Sequence, residues 1–497
     1  MRTLHAEWTK FRTVRGWVLG TVGAALAAVL FLLVGTVSSN QHPGGVAALP
    51  VGPGGEAVND SFSFVHRTLT GDGSLTVPVT GLTGVLADPN GGPDRTTPGI
   101  VPWSKAGIIV KSSLTPGSAY TAVTTTGAHG VRLQDDFVHD RAGDLTGAPS
   151  GAAPQWLRLV RAGTTVTGYD SGDGVHWTAI GTATVPAGAV QAGIFVTTPA
   201  AVETSGGGGS SPATATGTFG QPVLGGTWQG DWAYTQVGAD AGTSGSYVPG
   251  TSGAYRANGT GFTVTGAGDI APVVGGPALG PAFTVETFLI GTFVGLIVIG
   301  VPAVQFATGE YRRGLLALTL AATPKRTRVL YAKAAVIAAV AFAVGAGAAA
   351  VSLQLGQARA HAAHFAVLTA PASEELRAVL GTGLLLAATS VLALSVGVLL
   401  RRSATAITVL VTATVLPYLL AFGGMLPTGP AQWLLRLTPA AGFAVQQTLP
   451  HYDQVLSVYT PATGYFPLPP WGGYAVLVGW ALGALAAAAL VLHRRDA

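Results

Sequence analysis

The stretch "GWVLGTVGAALAAVLFLLVGTV", Gly16 to Val37, decides the fold class. It is apolar throughout and carries no charge, and a bilayer core needs about 20 such residues in a helix. It exceeds the roughly 7–15-residue apolar core of a secretory signal, so it reads as a retained span. Five further runs match it: Thr287–Phe306 ("TFLIGTFVGLIVIGVPAVQF"), 334–353, 378–400, 404–425 and 474–492. Only 10% of the chain is charged, against about 25% in soluble domains. The mean hydropathy is +0.46. Much of the chain therefore belongs in lipid.

Lysines and arginines near span ends set the orientation. With the N-terminus inside, Arg2, Lys10, Arg12, Arg15, Arg312, Arg313, Lys325, Arg326, Arg328, Lys333, Arg401, Arg402, Arg494 and Arg495 all face the cytoplasm. The short outer loops keep Arg359, Arg377 and Arg436. That bias predicts a six-span, N-in/C-in topology with residues 38–282 outside. Residues 1–15 read as an interfacial amphipathic helix, with Leu4, Trp8 and Phe11 on its apolar face and Arg2, His5, Glu7, Lys10 and Arg12 around the rest. Pro302 and Pro417 predict kinks in the second and fifth spans. The pairs Gly16/Gly20, Gly291/Gly295 and Gly479/Gly483 allow close helix approach.

The outer region changes period. Residues 38–60 are Gly/Pro-rich and read as a linker. From Phe62 short alternating runs follow, among them "SLTVPVT", "AGIIVKSS", "AYTAVTT", "GVRLQ", "QWLRLVRAG", "TVTGYDS" and "WTAIGTATV", with "SGDG" (171–174) as a hairpin turn. The fold class is thus membrane α-helical with an inserted all-β sandwich domain. "ETSGGGGSSPATATG" (203–217) reads as a flexible linker. Residues 218–282 form an extra β segment, either on the same sandwich or as a separate unit.

Candidate chemistry in this region is sparse. Asp135, Asp136, Asp140 and Asp144 lie in an acidic run, but without the spacing of a calcium loop. Glycosidase chemistry needs two facing carboxylates, and Glu56 and Glu203 sit in linker-like sequence. His129, His139 and His176 lack ligand spacing. Trp103, Trp156 and Trp177 recur inside strand patterns, which favours core packing over sugar stacking. With no cysteine, disulfides and thiolate sites are excluded. No basic soluble face points to nucleic acid. The prediction is no metal and no cofactor in this chain.

The stretches "WSKAGIIVKSSLTPGSAYTAV", "APQWLRLVRAGTTVTGYDSGDGVHWTAIGTATV" and "QAGIFVTT" resemble the concanavalin A-like β-sandwich over residues 60–200. That resemblance implies a lectin-like domain with a glycan as candidate ligand. Sandwiches of this kind sometimes hold calcium.

Residues 307–333 form a cytoplasmic segment, "ATGEYRRGLLALTLAATPKRTRVLYAK". Its middle is apolar but too short to span, and Pro324 ends that helix. This segment, the start "LHAEWTKFRTVRGWV" and "WLLRLTPAAGFAVQQ" (433–447, in a 426–473 outer loop with short helices) resemble the membrane subunit of a six-span ABC exporter. The resemblance covers residues 1–40 and 283–497. It implies docking on a separate ATPase subunit through Glu310, Arg312 and Arg313, with Pro324, Lys325, Arg326 and Arg328 behind them. It also implies a permease homodimer or heterodimer. The β domain between the first two spans departs from that family's layout. The chain lacks G-x-x-x-x-G-K-[ST], so ATP hydrolysis is expected on the partner and not here. Few charges lie in the spans; Glu286 sits at an outer edge where it is expected to reach water, and a lipidic or amphipathic cargo suits the spans better than an ion. The alternative is a membrane-anchored carbohydrate- or cell-wall-binding receptor without transport. A membrane-bound hydrolase is a third reading, with no carboxylate pair or Ser/His/Asp constellation behind it.

Overall fold

A computed structural model of the chain describes residues 2–37, 49–88, 95–202, 210–238, 247–259, 261–275, 283–312, 326–363, 365, 367–368, 370–422, 426–457 and 459–494. The chain forms a helical bundle with a large β-sheet domain at one end. The helices are α1 (Arg2–Thr13), α2 (Arg15–Val37), α3 (Val285–Phe288), α4 (Thr292–Arg312), α5 (Arg326–Ala362), α6 (Ala372–Leu400), α7 (Ser403–Phe422), α8 (Thr428–Leu437) and α9 (Pro470–Arg494). A 3₁₀ helix, Pro439–Gln446, follows α8. Among the described residues, α4, α5, α6, α7 and α9 are long and apolar enough to cross a membrane. The pair α1–α2, bent by 77°, makes a sixth candidate.

The helices outrun the apolar windows that locate them. α5 has 37 residues, because its flanks "RTRV" and "QARAHA" contain nothing that stops a helix. α4 starts at Thr292, later than the apolar run, because Thr284 caps the short helix α3 first. Close approach uses small residues. A Cβ on Gly291 would sit 2.0 Å from the Ala28 carbonyl oxygen, and one on Gly20 3.4 Å from Pro302. These glycines join α2 to α4 within the chain. Gly479 and Gly483 on α9 meet nothing within 4 Å.

The β domain is organised by one strand of 26 residues, Phe62–Ala87. Its first half pairs with 190–197 and 223–237, its middle with 155–162, its end with 213–219. It belongs to a 14-stranded sheet that doubles over: a Cβ on Gly168 would strike Val123 and Leu133 across the core. Alternation explains the layering. In 155–162, Gln155, Leu157, Leu159 and Arg161 are buried while Trp156, Arg158 and Val160 are half-buried on the other face.

Two expectations fail here. Residues 210–217 are not a flexible linker: Ser210–Ser211 and Ala213–Phe219 are strands, the latter paired with Gly261–Gly266 and with the long strand. "ATATGTF" alternates β-branched residues and packs like any inner strand; residues 203–209 lie outside the described residues. Nor is 49–60 wholly linker, since Val58–Asp60 pairs antiparallel with Ile270–Pro272. Of the 218–282 segment, Val223–Val237, Ala254–Asn258 and Gly261–Gly266 join the same sheet, whereas Ile270–Pro272 pairs with Val58–Asp60 in a separate two-stranded sheet.

That entry–exit pair covers a second core of Val58, Phe62, Phe64, Ile109, Tyr120, Phe137, Phe195 and Ile270. Strand 105–111 is therefore buried on both faces. Its two lysines are fully enclosed. Lys111 Nζ reaches Asp60 Oδ2 at 2.6 Å and the Ser118 carbonyl at 2.9 Å. Lys105 Nζ reaches Asp269 Oδ1 at 2.9 Å and the Ile270 carbonyl at 2.6 Å. Burial pushes the Asp60 carboxyl up and the Lys111 amine down, against the attraction of each for the other. Two buried ion pairs thus pin the domain's first and last strands to its centre.

Candidate functional site

The first candidate surface is the basic end of the bundle. Glu310 and Arg312 lie in the last turn of α4, and Arg326 and Arg328 in the first turn of α5. Arg328 is exposed. Arg313, Pro324 and Lys325 lie outside the described residues.

Beside it α1 is fastened in place. Glu7, set on the polar side of α1 by its helical pattern, is 1% exposed. Its carboxylate accepts from Lys333 Nζ at 2.7 Å and Lys10 Nζ at 2.8 Å. Lys333 sits 4.2 Å from the centroid of the Phe306 ring, a favourable cation–π placement. Phe11 and Trp17 pack edge-on to the same ring at 5.5 and 4.9 Å. Leu4 and Trp8 remain exposed beside His5 and Arg12, so the outward face of α1 is amphipathic, as a helix lying at a lipid surface would be. The helical spacing located α1; the pairing of Glu7 with a lysine more than 300 positions away left no local signal.

The second candidate surface is the end that carries the β domain. Ala271, Val273, Val274, Leu368, Leu449, Val455 and Tyr465 form one apolar cluster shared by the domain's exit strand and the connections of the bundle. Gln454 donates to the Val138 carbonyl at 3.1 Å, and Ser457 to the Gly275 carbonyl at 2.7 Å. Within this seam opens a cavity of about 630 Å³, lined by Glu56, Glu374, Arg377, Gln447 and Tyr452 among others. That lies within the usual ligand-pocket range of about 300–1,000 Å³. Arg377 donates to Glu374 and, at 2.5 Å, to the Gln447 carbonyl.

Glu286 does not reach water. Part of the residue is at the surface, but its carboxylate is closed in. Oε1 accepts from the Thr448 N–H, the Thr448 hydroxyl at 2.8 Å and the Leu449 N–H at 3.3 Å. Burial pushes its carboxyl up, against these donors. The sequence places Glu286 beside an apolar run; that residues 448–449 fold over it was not readable there.

In the β domain the expected features do not converge. Asp135 pairs with His139 (2.9 Å) and Arg141 (3.3 Å). Asp140 pairs with Arg132 and accepts from Gln134. Asp136 accepts from the Tyr120 N–H, and Asp144 is exposed. Among the described residues no group of three or more His, Asp or Glu could hold a metal. Trp103 is buried and stacked on His129 at 4.0 Å. Trp156 and Trp177 are half-buried, not core, and Arg158 lies 3.8 Å over the Trp177 ring.

No family model and no curated protein matches this chain. Among solved structures, a crystal structure described as a functionally unknown protein from Saccharomyces cerevisiae is similar at 14% identity. It covers 38% of this chain and 83% of that chain, with a TM-score of 0.20. A score that low carries nothing about function.

Proposed function

We propose that this chain is the membrane-spanning permease subunit of an ATP-driven ABC exporter, with six spans, both termini in the cytoplasm and the β domain outside. A separate ATPase subunit docks on the 307–333 segment, and two permease subunits pair in the membrane. The observation that best supports this reading is the architecture at the basic end. The Glu7–Lys333 pair holds an amphipathic helix against the base of α5, so α1, α4 and α5 are tied together at that end. A plain positive-inside flank needs no such brace. Helices so tied transmit a push from a docked partner to the spans.

A second reading, a membrane-anchored carbohydrate- or cell-wall-binding receptor without transport, draws on the 630 Å³ cavity between β domain and bundle. Copurification separates the two. The exporter reading expects a P-loop ATPase encoded beside this gene to copurify with the chain, and Arg312→Glu with Arg313→Glu to abolish the association. Loss of neither copurification nor basal ATPase stimulation in that double variant sinks it. Single cysteines at Ser150 and Thr327, introduced into a chain that has none, should label from outside and inside respectively. The opposite pattern overturns the topology.

A further inference from the structure

Below the seam, a smaller cavity of about 70 Å³ lies between α3, α7, the 3₁₀ helix and residues 461–466. At about 10–15 Å³ per water it holds roughly five waters or one small organic ion. Its walls combine two features. Tyr418 is the hub of an aromatic group: its ring centroid lies 4.4 Å from Phe443, 5.7 Å from Phe422 and 6.4 Å from Phe466. All four residues line the cavity. Among the described residues the one carboxylic acid lining it is Glu286, and no lysine, arginine or histidine lines it.

The Glu286 carboxylate is half satisfied. The three donors at Thr448 and Leu449 all reach Oε1, while among the described residues Oε2 is buried with no hydrogen bond of normal geometry. A buried carboxylate oxygen without a cation is costly. A partner that is small, positive and compatible with aromatic faces matches the charge as well as the hydrogen bond, where water matches only the latter. A hard metal ion prefers a shell of six or more oxygens; Thr284, Thr287 and Gln446 add polar atoms to this wall, but four aromatic rings take up much of the rest. Aromatic faces attract ammonium ions and recognise quaternary ones in cages. The geometry points to a binding site for a small organic ammonium group, with Glu286 as counter-ion and the stacked rings of Tyr418, Phe422, Phe443 and Phe466 as an aromatic wall beside it. This is an assignment of binding, and it stands whether or not the chain transports.

The ammonium group has two sources, a free organic cation or the headgroup of a lipid. The test uses the full chain in phosphatidylglycerol nanodiscs, which supply no ammonium. Calorimetric titration with choline should saturate. Its neutral isostere 3,3-dimethylbutan-1-ol should bind at least about tenfold more weakly, a difference of about 1.4 kcal/mol. Glu286→Gln, which keeps shape and acceptor, should weaken choline by a similar factor. Tyr418→Leu is the second variant, removes the hub ring and should also weaken it. Far-UV circular dichroism reports whether each variant is folded. Phosphatidylethanolamine nanodiscs then distinguish the sources: a weakened choline response assigns the site to a headgroup, an unchanged one to a free ion. No saturable binding by the wild type, equal binding of the isostere, competition by sodium alone, or undiminished binding in both folded variants overturns the assignment.

Discussion

The two ends of the helical bundle each bury a glutamate, and they treat it differently. Glu7 at the basic end has Lys333 and Lys10 against its carboxylate and a ring beneath Lys333. Glu286 at the domain end has neutral donors on one oxygen and, among the described residues, none of normal geometry on the other. A matched buried charge fixes one arrangement of helices; an unmatched one is a liability that persists only where something else uses it. The cavity lies at the unmatched end. The root of the β domain resembles the basic end, since Asp60–Lys111 and Asp269–Lys105 are buried and matched.

This contrast is breakable. The largest effect is expected at the domain root. Lys111→Met leaves Asp60 buried and unpaired, at a cost of about 3–5 kcal/mol. The thermal unfolding of the full chain should show a marked drop in midpoint, and Asp60→Leu added to Lys111→Met should recover part of it. If the single variant unfolds like the wild type, the root is not held by charge. Lys333→Met should cost somewhat less, about 3 kcal/mol, because Lys10 still faces Glu7. Glu7→Gln in that background should restore stability, read by the same melt. Gly291→Ala drives a methyl into the Ala28 carbonyl and should cost about 1–3 kcal/mol by overpacking. An unchanged melt would mean that α2 and α4 slide freely.

Glu286→Gln should act the other way, and only above acidic pH. The folded carboxyl titrates above its usual value because burial disfavours the charge. The folded chain therefore holds that proton more tightly than the unfolded chain, and stability falls as pH rises from about 4.5 through the folded value. The glutamine variant escapes this loss. Without added cation it should melt higher than the wild type at pH 8, and the gap should close near pH 4. A gap that widens toward acid would show the carboxylate to be well paired. Smallest of all, Gly479→Ala on the open side of α9 should gain up to about 1 kcal/mol through helix propensity. A loss instead would mean that another surface packs against that glycine.

Much of the architecture was legible because it is periodic. Apolar runs located the long helices, and alternation located strands 105–111, 120–126, 131–135, 155–162 and 165–171. Composition misled where it outweighed alternation: five consecutive small residues at 205–209 hid the strand Ala213–Phe219 that follows. The charged interior was illegible for another reason. Lys105 and Lys111 bracket an apolar run and look like the polar ends of a strand; that the entry and exit strands cross over them depends on partners 51 and 164 positions away. The cavity draws Glu286, Tyr418, Phe443 and Phe466 from four segments. Each is unremarkable in its own window, and only folding brings them together.

The pairing of Val58–Asp60 with Ile270–Pro272 makes the domain a cassette. The chain enters and leaves through neighbouring strands, at the spacing a tight hairpin bridges. Replacing residues 58–272 by a short turn leaves the ends of the excised interval as close as before, so the distance between α2 and α4 need not change. A lineage of such proteins could therefore acquire, lose or exchange the β domain without redesigning the helices beneath it.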